Sequence, residues 1–329
     1  MSKYPFGDYA AKYMDSVRGI YSDETWKNRA RRYKRMERKM IELKESKRIT
    51  TMSPKNMTPE DVRTYILYCK DKVSTADLVH EVNALRKLLM YVDNNAVDIC
   101  LNHNPGLKPV FKGTRRKPSM QDDMYSMILE RSKEIDPSNF TLVRAYALVL
   151  LCINTGTRNK EVRFAEIQDP DTTMWTLDII HVKGEESYGM PRQVPIHPDI
   201  RPQLLTYLLA RQKWMLDNSS KSNALFPSKD SKDGFLSGNS IRRIKCTVEE
   251  DLKIKFDLRE CRRTFGQRYL DSGLDIESTS VLMGHASTKT TEGFYSRKKL
   301  TKAIESAKDT WLSTSGQEIC PPIDDLGEN

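Results

Sequence analysis

Apolar residues recur along most of this chain three and four positions apart, and only one short stretch alternates. In the first hundred residues Tyr33, Met36 and Met40 fall at i, i+3 and i+7. Val62, Tyr65, Ile66 and Cys69 make one face of a second segment, and Leu78, Val82, Leu85, Leu88 and Leu89 stripe a third. Such stripes read as core packing. The helix starts agree with them. Ser22 or Asp23 is a cap ahead of Glu24 and Thr25, Thr58 is an N-cap with Pro59 at the first helical position, and Thr75-Ala76-Asp77 opens the third segment. Residues 102–118 break the pattern with Pro105, Gly106, Pro109, Gly113 and Pro118 among Lys108, Lys112, Arg115, Arg116 and Lys117. Proline, glycine and positive charge together predict an extended basic linker.

Beyond the linker, residues 140–154 are apolar nearly all round and predict a buried helix. Residues 175–182 and 193–196 alternate and predict a hairpin whose turn is 183–189. Helical spacing then dominates to about residue 311, ending in an amphipathic stretch that carries Leu300, Ile304, Ala307 and Trp311. The last residues are polar and acidic and read as a flexible tail. The expected fold is mainly α with a small antiparallel β-sheet. The expected divisions are a helical domain at 1–104, a linker at 105–118, a second domain at 119–312 and a tail at 313–329.

Composition narrows the partner. The chain has 329 residues, enough for two domains, with 38% hydrophobic and 30% charged residues, so it folds but is polar for an enzyme. A net charge of +9 and an isoelectric point near 9.1 favour a polyanionic partner, nucleic acid first and an acidic membrane second; a soluble protein with a solvated basic face is the alternative that charge alone leaves open. No apolar run approaches the roughly 18 residues of a membrane span, and the first residues lack an apolar signal core. An intracellular protein with no membrane partner is expected. The six cysteines are scattered without a CxxC pair and the five histidines without an HxxxH pair, so neither disulfides nor a metal site is expected. No GxxxxGK[ST] loop is present either.

The charge is concentrated. Lys27, Arg29, Arg31, Arg32, Lys34, Arg35, Arg38 and Lys39 lie on one predicted helix, opposed there only by Glu37. Such a row predicts a helix laid along phosphates, which positions a protein on nucleic acid without reading sequence.

Four further groups carry candidate chemistry. Arg158 and Glu161 are three apart at a helix start and share a face, as a plain salt bridge also would. Lys183 sits at the predicted hairpin tip, where a lone lysine is ordinarily just solvated. Arg259 and Arg262 are also three apart, with Arg263 adjacent; like charges at that spacing cost a bare helix a few tenths of a kcal/mol, about 0.2–0.5, and a bound phosphate reverses the sign. His285 follows Gly284, which ends a predicted helix at 275–283, and Ser287 to Thr291 offer caps for a short helix bearing Tyr295.

Three segments occur in order: Thr155-Gly156-Thr157-Arg158-Asn159-Lys160-Glu161, then Arg259-Glu260-Cys261-Arg262-Arg263-Thr264-Phe265, then residues 282–295 from Leu282-Met283-Gly284-His285 to Gly293-Phe294-Tyr295. Together they resemble the signature of the tyrosine recombinases, the phage integrase family, over residues 140–297 and more loosely before that. The resemblance implies an N-terminal helical core-binding domain of SAM-like fold and a catalytic domain. It implies Tyr295 as nucleophile, Arg158, Arg262 and His285 as phosphate-binding groups, Lys183 as the acid toward the leaving 5′ oxygen, and Glu161 as a brace. The family pattern at 259 is histidine; Arg259 cannot act as a general base and is assigned to phosphate binding. His285 and Tyr295 are ten residues apart, where many members have nine.

A phenol with a pKa near 10 needs activation, which five cationic or donor groups would supply. No cofactor is implied, because a 3′-phosphotyrosine conserves the bond energy. The expected partner is double-stranded DNA, contacted by Lys27, Arg29, Arg31, Arg32, Arg35, Arg115, Arg116 and Lys117. A homotetramer on DNA passing through a Holliday junction, in a cytoplasmic, nucleoid-associated setting, is the expected assembly. A type IB topoisomerase-like strand transferase and a catalytically silent DNA-binding protein stand as alternatives.

Overall fold

The computed structural model describes residues 5–110, 118–182, 189–285 and 287–292, with 304, 308, 310 and 311. The chain divides into two compact units, residues 1–115 and 116–329.

The first unit is helical: α1 (Pro5–Ser16), α2 (Asp23–Glu45), α3 (Pro59–Lys70), α4 (Thr75–Met90) and α5 (Ala96–His103). The stripes of the sequence point inward. Tyr33, Met36, Met40 and Leu43 of α2 meet Val62, Tyr65, Ile66 and Cys69 of α3 and Leu78, Val82, Leu85, Leu88 and Leu89 of α4 in one core, with Phe6 and Met14 of α1.

The start of α3 is a capping box. Thr58 Oγ1 accepts the Asp61 N–H at 3.1 Å, and Asp61 Oδ2 accepts the Thr58 N–H at 3.0 Å. Asp61 also accepts the Thr50 N–H and hydroxyl, at 2.5 and 2.8 Å. Burial alone would raise the Asp61 pKa, but these donors outweigh it and hold the carboxyl below its usual value. At α2 the cap is Ser22, but its hydroxyl donates to Thr25 Oγ1 at 3.0 Å rather than serving a backbone N–H.

In the second unit α6 (Asp122–Lys133) precedes α7 (Phe140–Thr155), buried on nearly every face because α9 (Arg201–Asp217), α10 (Gly238–Leu252) and α11 (Leu258–Asp271) pack around it. Between α7 and α9 come the short α8 (Asn159–Arg163) and a sheet of β1 (Pro170–Asp171), β2 (Thr176–Ile179) and β3 (Arg192–Pro195), antiparallel in the order β1-β2-β3. The final described helix between α11 and His285 is α12 (Ile276–Met283).

The fold is therefore mainly α with a small antiparallel sheet. The expected hairpin is correct in direction, with Leu177 opposite Val194 and Ile179 opposite Arg192. Its first strand is shorter than the alternation implied, and a third strand was missed because two residues are too short to show a period. The expected turn at 183–189, Lys183 included, lies outside the described residues apart from Gly189. So does most of the expected helix at 300–311, and the tail at 313–329 entirely.

Candidate active site

The site grows from the end of α7. Gly156 closes that helix in the left-handed region at φ +62°, and a Cβ there would lie 2.4 Å from the Phe265 ring, so only glycine lets the chain turn this close to α11. The turn delivers Arg158 to the N-cap of α8 and Glu161 one turn on.

Glu161 has a fully buried side chain and is the hub. Its Oε2 accepts the Arg158 N–H at 2.8 Å, and its Oε1 accepts from Arg158 Nη1 at 2.6 Å. Arg192 of β3 grips both oxygens, Nη2 to Oε2 at 2.9 Å and Nη1 to Oε1 at 3.2 Å. Arg262 of α11 stands beyond, its Nη1 3.9 Å from Oε2, and donates from the same nitrogen to the Gly156 carbonyl at 2.6 Å. Burial alone would raise the Glu161 pKa, but the hydrogen bonds and charges of Arg192 and Arg158 outweigh it and hold the carboxyl below its usual value. Three guanidiniums surround one carboxylate, so the cluster carries surplus positive charge.

The same three arginines hold the end of α12. Gly284, at φ +60°, ends it in a Schellman turn: the Gly284 N–H donates to Val281 O at 2.8 Å and the His285 N–H to Ser280 O at 3.1 Å. The next three carbonyls have no helical donor, and each accepts from a different arginine. Leu282 O accepts from Arg192 Nε at 2.8 Å, Met283 O from Arg262 Nη2, and Gly284 O from Arg158 Nη2 at 2.8 Å. Guanidiniums also complement the negative end of the helix dipole.

This anchors His285, whose Nδ1 lies 2.8 Å from Oγ1 of buried Thr291. Burial pushes the imidazole pKa down, helped by Arg262, Arg158 and Arg192 against Glu161, to about 4. At neutral pH His285 is therefore uncharged and offers one ring nitrogen beyond the one facing Thr291.

The structure thus brings together Arg158, Glu161, Arg262 and His285. Arg259 stands apart from this hydrogen-bonded set, on the first turn of α11 and on the face it shares with Arg262, with its side chain exposed. Lys183 and Tyr295 lie outside the described residues, as do Arg115, Arg116 and Lys117.

Sequence reasoning missed Arg192 and the role of Thr291. A signal for Arg192 was present: it is two positions from Val194, hence on the buried face of a strand. An arginine there needs a buried anion. Nothing local in the sequence marks Thr291. Among the described residues, no group of three or more His, Cys, Asp or Glu side chains is placed to hold a metal ion.

In the first unit, Lys27, Arg31 and Arg35 are exposed on α2, with Arg31 Nη1 donating to Asn28 Oδ1 at 3.1 Å. Arg29 and Arg32 are half-buried and line an open groove of 520 Å³ between α2 and α4, with His80, Asn83, Arg86 and Lys87 on the other side. The Arg29 guanidinium lies 3.7 Å from the Tyr21 ring centroid. Lys39 must be withdrawn from the phosphate row: its Nζ is held by both Glu81 oxygens at 2.7 and 2.8 Å. One charge of the row is spent inside the fold because α2 has a buried face at position 39's neighbours Met36, Met40 and Leu43.

Comparison with known proteins places the chain in a family. The model of the phage integrase family matches residues 118–301, and the chain belongs to that family. It is thereby an enzyme of the tyrosine recombinase class, which breaks and rejoins DNA strands. Similar curated proteins include tyrosine recombinase XerC of Oceanobacillus iheyensis, 26% identical over 242 residues that cover 72% of this chain and 75% of the relative. Tyrosine recombinase XerA of Pyrococcus furiosus is 30% identical over 169 residues, 50% of this chain and 55% of the relative. Among solved structures, XerH site-specific recombinase bound to difH substrate, a pre-cleavage complex, shares the fold with a TM-score of 0.68 and 15% identity, over 92% of this chain and 97% of that one. The Tn1549 transposon integrase in complex with transposon right end DNA gives 0.62 and 14%, over 91% and 99%. In the described residues no helix is long and apolar enough to cross a membrane.

Proposed function

We propose that this chain is a site-specific recombinase that cuts duplex DNA through a 3′-phosphotyrosine at Tyr295. The observation that carries the reading is the surplus of guanidinium charge around Glu161, placed beside a neutral His285 ten residues before that tyrosine. Arg158 and Arg262 donate to the nonbridging oxygens of the scissile phosphate, and His285 donates from its remaining ring nitrogen. Arg259 reaches a neighbouring phosphate from the exposed turn of α11. The Tyr295 oxygen attacks phosphorus and forms the new P–O bond as the P–O5′ bond breaks. The phenolic proton passes to water as the phenolate forms, Lys183 supplies the proton that the 5′ oxygen takes up, and Lys183 is reprotonated from water.

The surplus of positive charge suits the phosphorane transition state better than the ground state, because negative charge on the equatorial oxygens grows as the phosphorane forms. Ligation is the reverse attack by a 5′ hydroxyl. When that hydroxyl comes from a second duplex the strands exchange, and two such rounds pass through a Holliday junction in a tetramer of this chain. The groove between α2 and α4, with the exposed row of α2, holds phosphates without specifying bases. The helical unit 1–104, the linker 105–118 and the catalytic unit 119–312 divide these tasks, and the work is done at the chromosome in the cytoplasm.

The test mixes the protein with a supercoiled plasmid carrying its own gene and flanking DNA, in EDTA, and quenches with detergent. A covalent protein–DNA adduct is expected with wild type and absent with Tyr295→Phe. An adduct that survives the substitution refutes the assignment of the nucleophile. A rate independent of protein concentration past single-site saturation, with relaxed plasmid and no recombinants, replaces the recombinase with a topoisomerase-like transferase.

A further inference from the structure

The site holds one more arginine than a phosphate has obvious use for. Of the three, Arg158 and Arg262 keep 27% and 12% of their side chains exposed, whereas Arg192 keeps 7%. Arg192 uses all three of its nitrogens on the protein: Nη1 and Nη2 on the two oxygens of Glu161, Nε on Leu282 O. It reaches from β3 to α8 and to the end of α12, two elements that carry separate parts of the site.

We propose that Arg192 is a positioning residue of the cleavage reaction: it sets the plane of the Glu161 carboxylate and ties it to the end of α12, so that Arg158, Arg262 and His285 meet one phosphate in a single arrangement. The inference rests on the strand-cleavage reading above.

Four observations carry it. A strand position on the buried face tolerates a charge only with a matched partner, and the fork of a guanidinium fits a carboxylate in two parallel hydrogen bonds. With that fork in place Glu161 Oε1 remains aligned for Arg158 Nη1 at 2.6 Å. Arg262 is the next cation, 3.9 Å from Oε2. A buried carboxylate that loses Arg192 draws Arg262 in to replace it and turns that guanidinium away from the phosphate. Finally, the chain makes room for the contact. A Cβ on Gly284 would lie 2.7 Å from Arg192 Nη1, so the glycine that ends α12 is also the gap through which Arg192 reaches Leu282.

Charge and geometry can be separated because lysine keeps one and loses the other. The groups facing His285 are Arg158 and Glu161 from α8, Arg192 from β3, Arg262 from α11 and Thr291 from the following segment. Removing the Arg192 charge raises the His285 titration midpoint from about 4 toward the ordinary 6.5.

The experiment compares wild type, Arg192→Gln, Arg192→Lys and Tyr295→Phe on the plasmid used above. Single-turnover adduct formation at saturating DNA is measured against pH. DNA affinity comes from gel shift and folding from thermal melts. The His285 midpoint comes from histidine-selective NMR, assigned by the signal lost in His285→Gln.

Arg192→Gln is expected to slow adduct formation about 100-fold, the cost of a misplacement near 1 Å, with DNA affinity within about twofold and the His285 midpoint raised. Arg192→Lys is expected to restore the midpoint but not the rate. A wild-type rate in either variant overturns the proposal. So does a fall in DNA affinity parallel to the rate, which would place Arg192 on the DNA. If Arg192→Gln does not fold, Arg192→Lys decides by the same criteria. A wild type without a Tyr295-dependent adduct removes the reaction and this inference with it, an outcome distinct from a wild type that reacts beside an unaffected Arg192→Gln.

Discussion

Each unit of the molecule buries a glutamate among cations, and the two do it differently. In the first unit Glu81 meets one lysine, Lys39, with Tyr65 OH donating at 2.8 Å and Cys69 Sγ at 3.3 Å. Charge there is balanced, and both carboxylate oxygens that burial strips of water find donors within the unit. In the second unit Glu161 meets three arginines, two of which still face solvent. A balanced buried pair holds helices together. An unbalanced one stores positive charge, an arrangement that folding alone does not favour and that a phosphate completes. Under the proposed strand-cleavage reading, the surplus marks the glutamate of the reactive site; burial marks both.

The largest expected effects come from breaking the two hubs. Removing one partner of a buried pair costs about 3–5 kcal/mol. Glu81→Gln and Glu161→Gln should both lower the unfolding free energy by that order in urea titrations. They should part in function: at a temperature where the variant stays folded, Glu81→Gln forms the DNA adduct at the wild-type rate, and Glu161→Gln does not. Equal losses of adduct in the two would erase the distinction drawn here.

Arg158→Lys tests the stored charge itself. It keeps the cation and loses the fork, and the loss of a transition-state donor of this kind costs about 100–1,000-fold in rate. Single-turnover adduct kinetics read it, with thermal stability changing little by comparison.

Next in size is a backbone test. Gly284→Ala forces a left-handed residue, at about 1–2 kcal/mol, and adds a collision with Arg192 Nη1 at 2.7 Å. Gly273→Ala, at φ +93° with nothing within 4 Å, suffers the strain alone. Urea unfolding should find Gly284→Ala the more destabilised, and only that variant should lose adduct formation.

Acid sharpens the comparison further. His285 titrates lower folded than unfolded, so its contribution to stability is complete above pH 6.5 and is lost as the pH falls toward 4. Glu161 is also depressed, so its contribution is present above its unfolded value of 4.5 and is lost below that, through its folded pKa. Melting temperatures should therefore fall in two stages, and His285→Asn should flatten the first.

The smallest effect belongs to the exposed row of α2. Arg35→Gln should reduce the slope of log affinity against log salt by roughly 0.9 and leave adduct formation at saturating DNA unchanged.

The stripes on α2, α3 and α4 and the buried run of α7 were legible because helical periodicity is a property of one segment and needs no partner to be seen. The N-cap at Thr58 was equally local, although its reciprocal bond with Asp61 was read only from the structure. Arg158 and Glu161 were legible as a pair because one helical turn joins them. Lys39 looked like one more charge in a row of eight, and only the packing of α2 on α3 and α4 showed that Glu81 consumes it. The third strand was invisible for a simpler reason: two residues carry no period.

What the sequence determined by itself is the set of local devices: which segments are helical, where Gly284 ends one of them, and which chemistry-bearing residues stand beside helix ends. What only the tertiary structure decided is their meeting. Glu161, Arg192, Arg262 and Leu282 are separated by up to 121 positions in the chain, and no periodicity links them. They converge because a buried carboxylate and three orphaned carbonyls at a helix end must find donors, and among the described residues the side chains that supply them are arginines at the start of α8, on β3 and on α11.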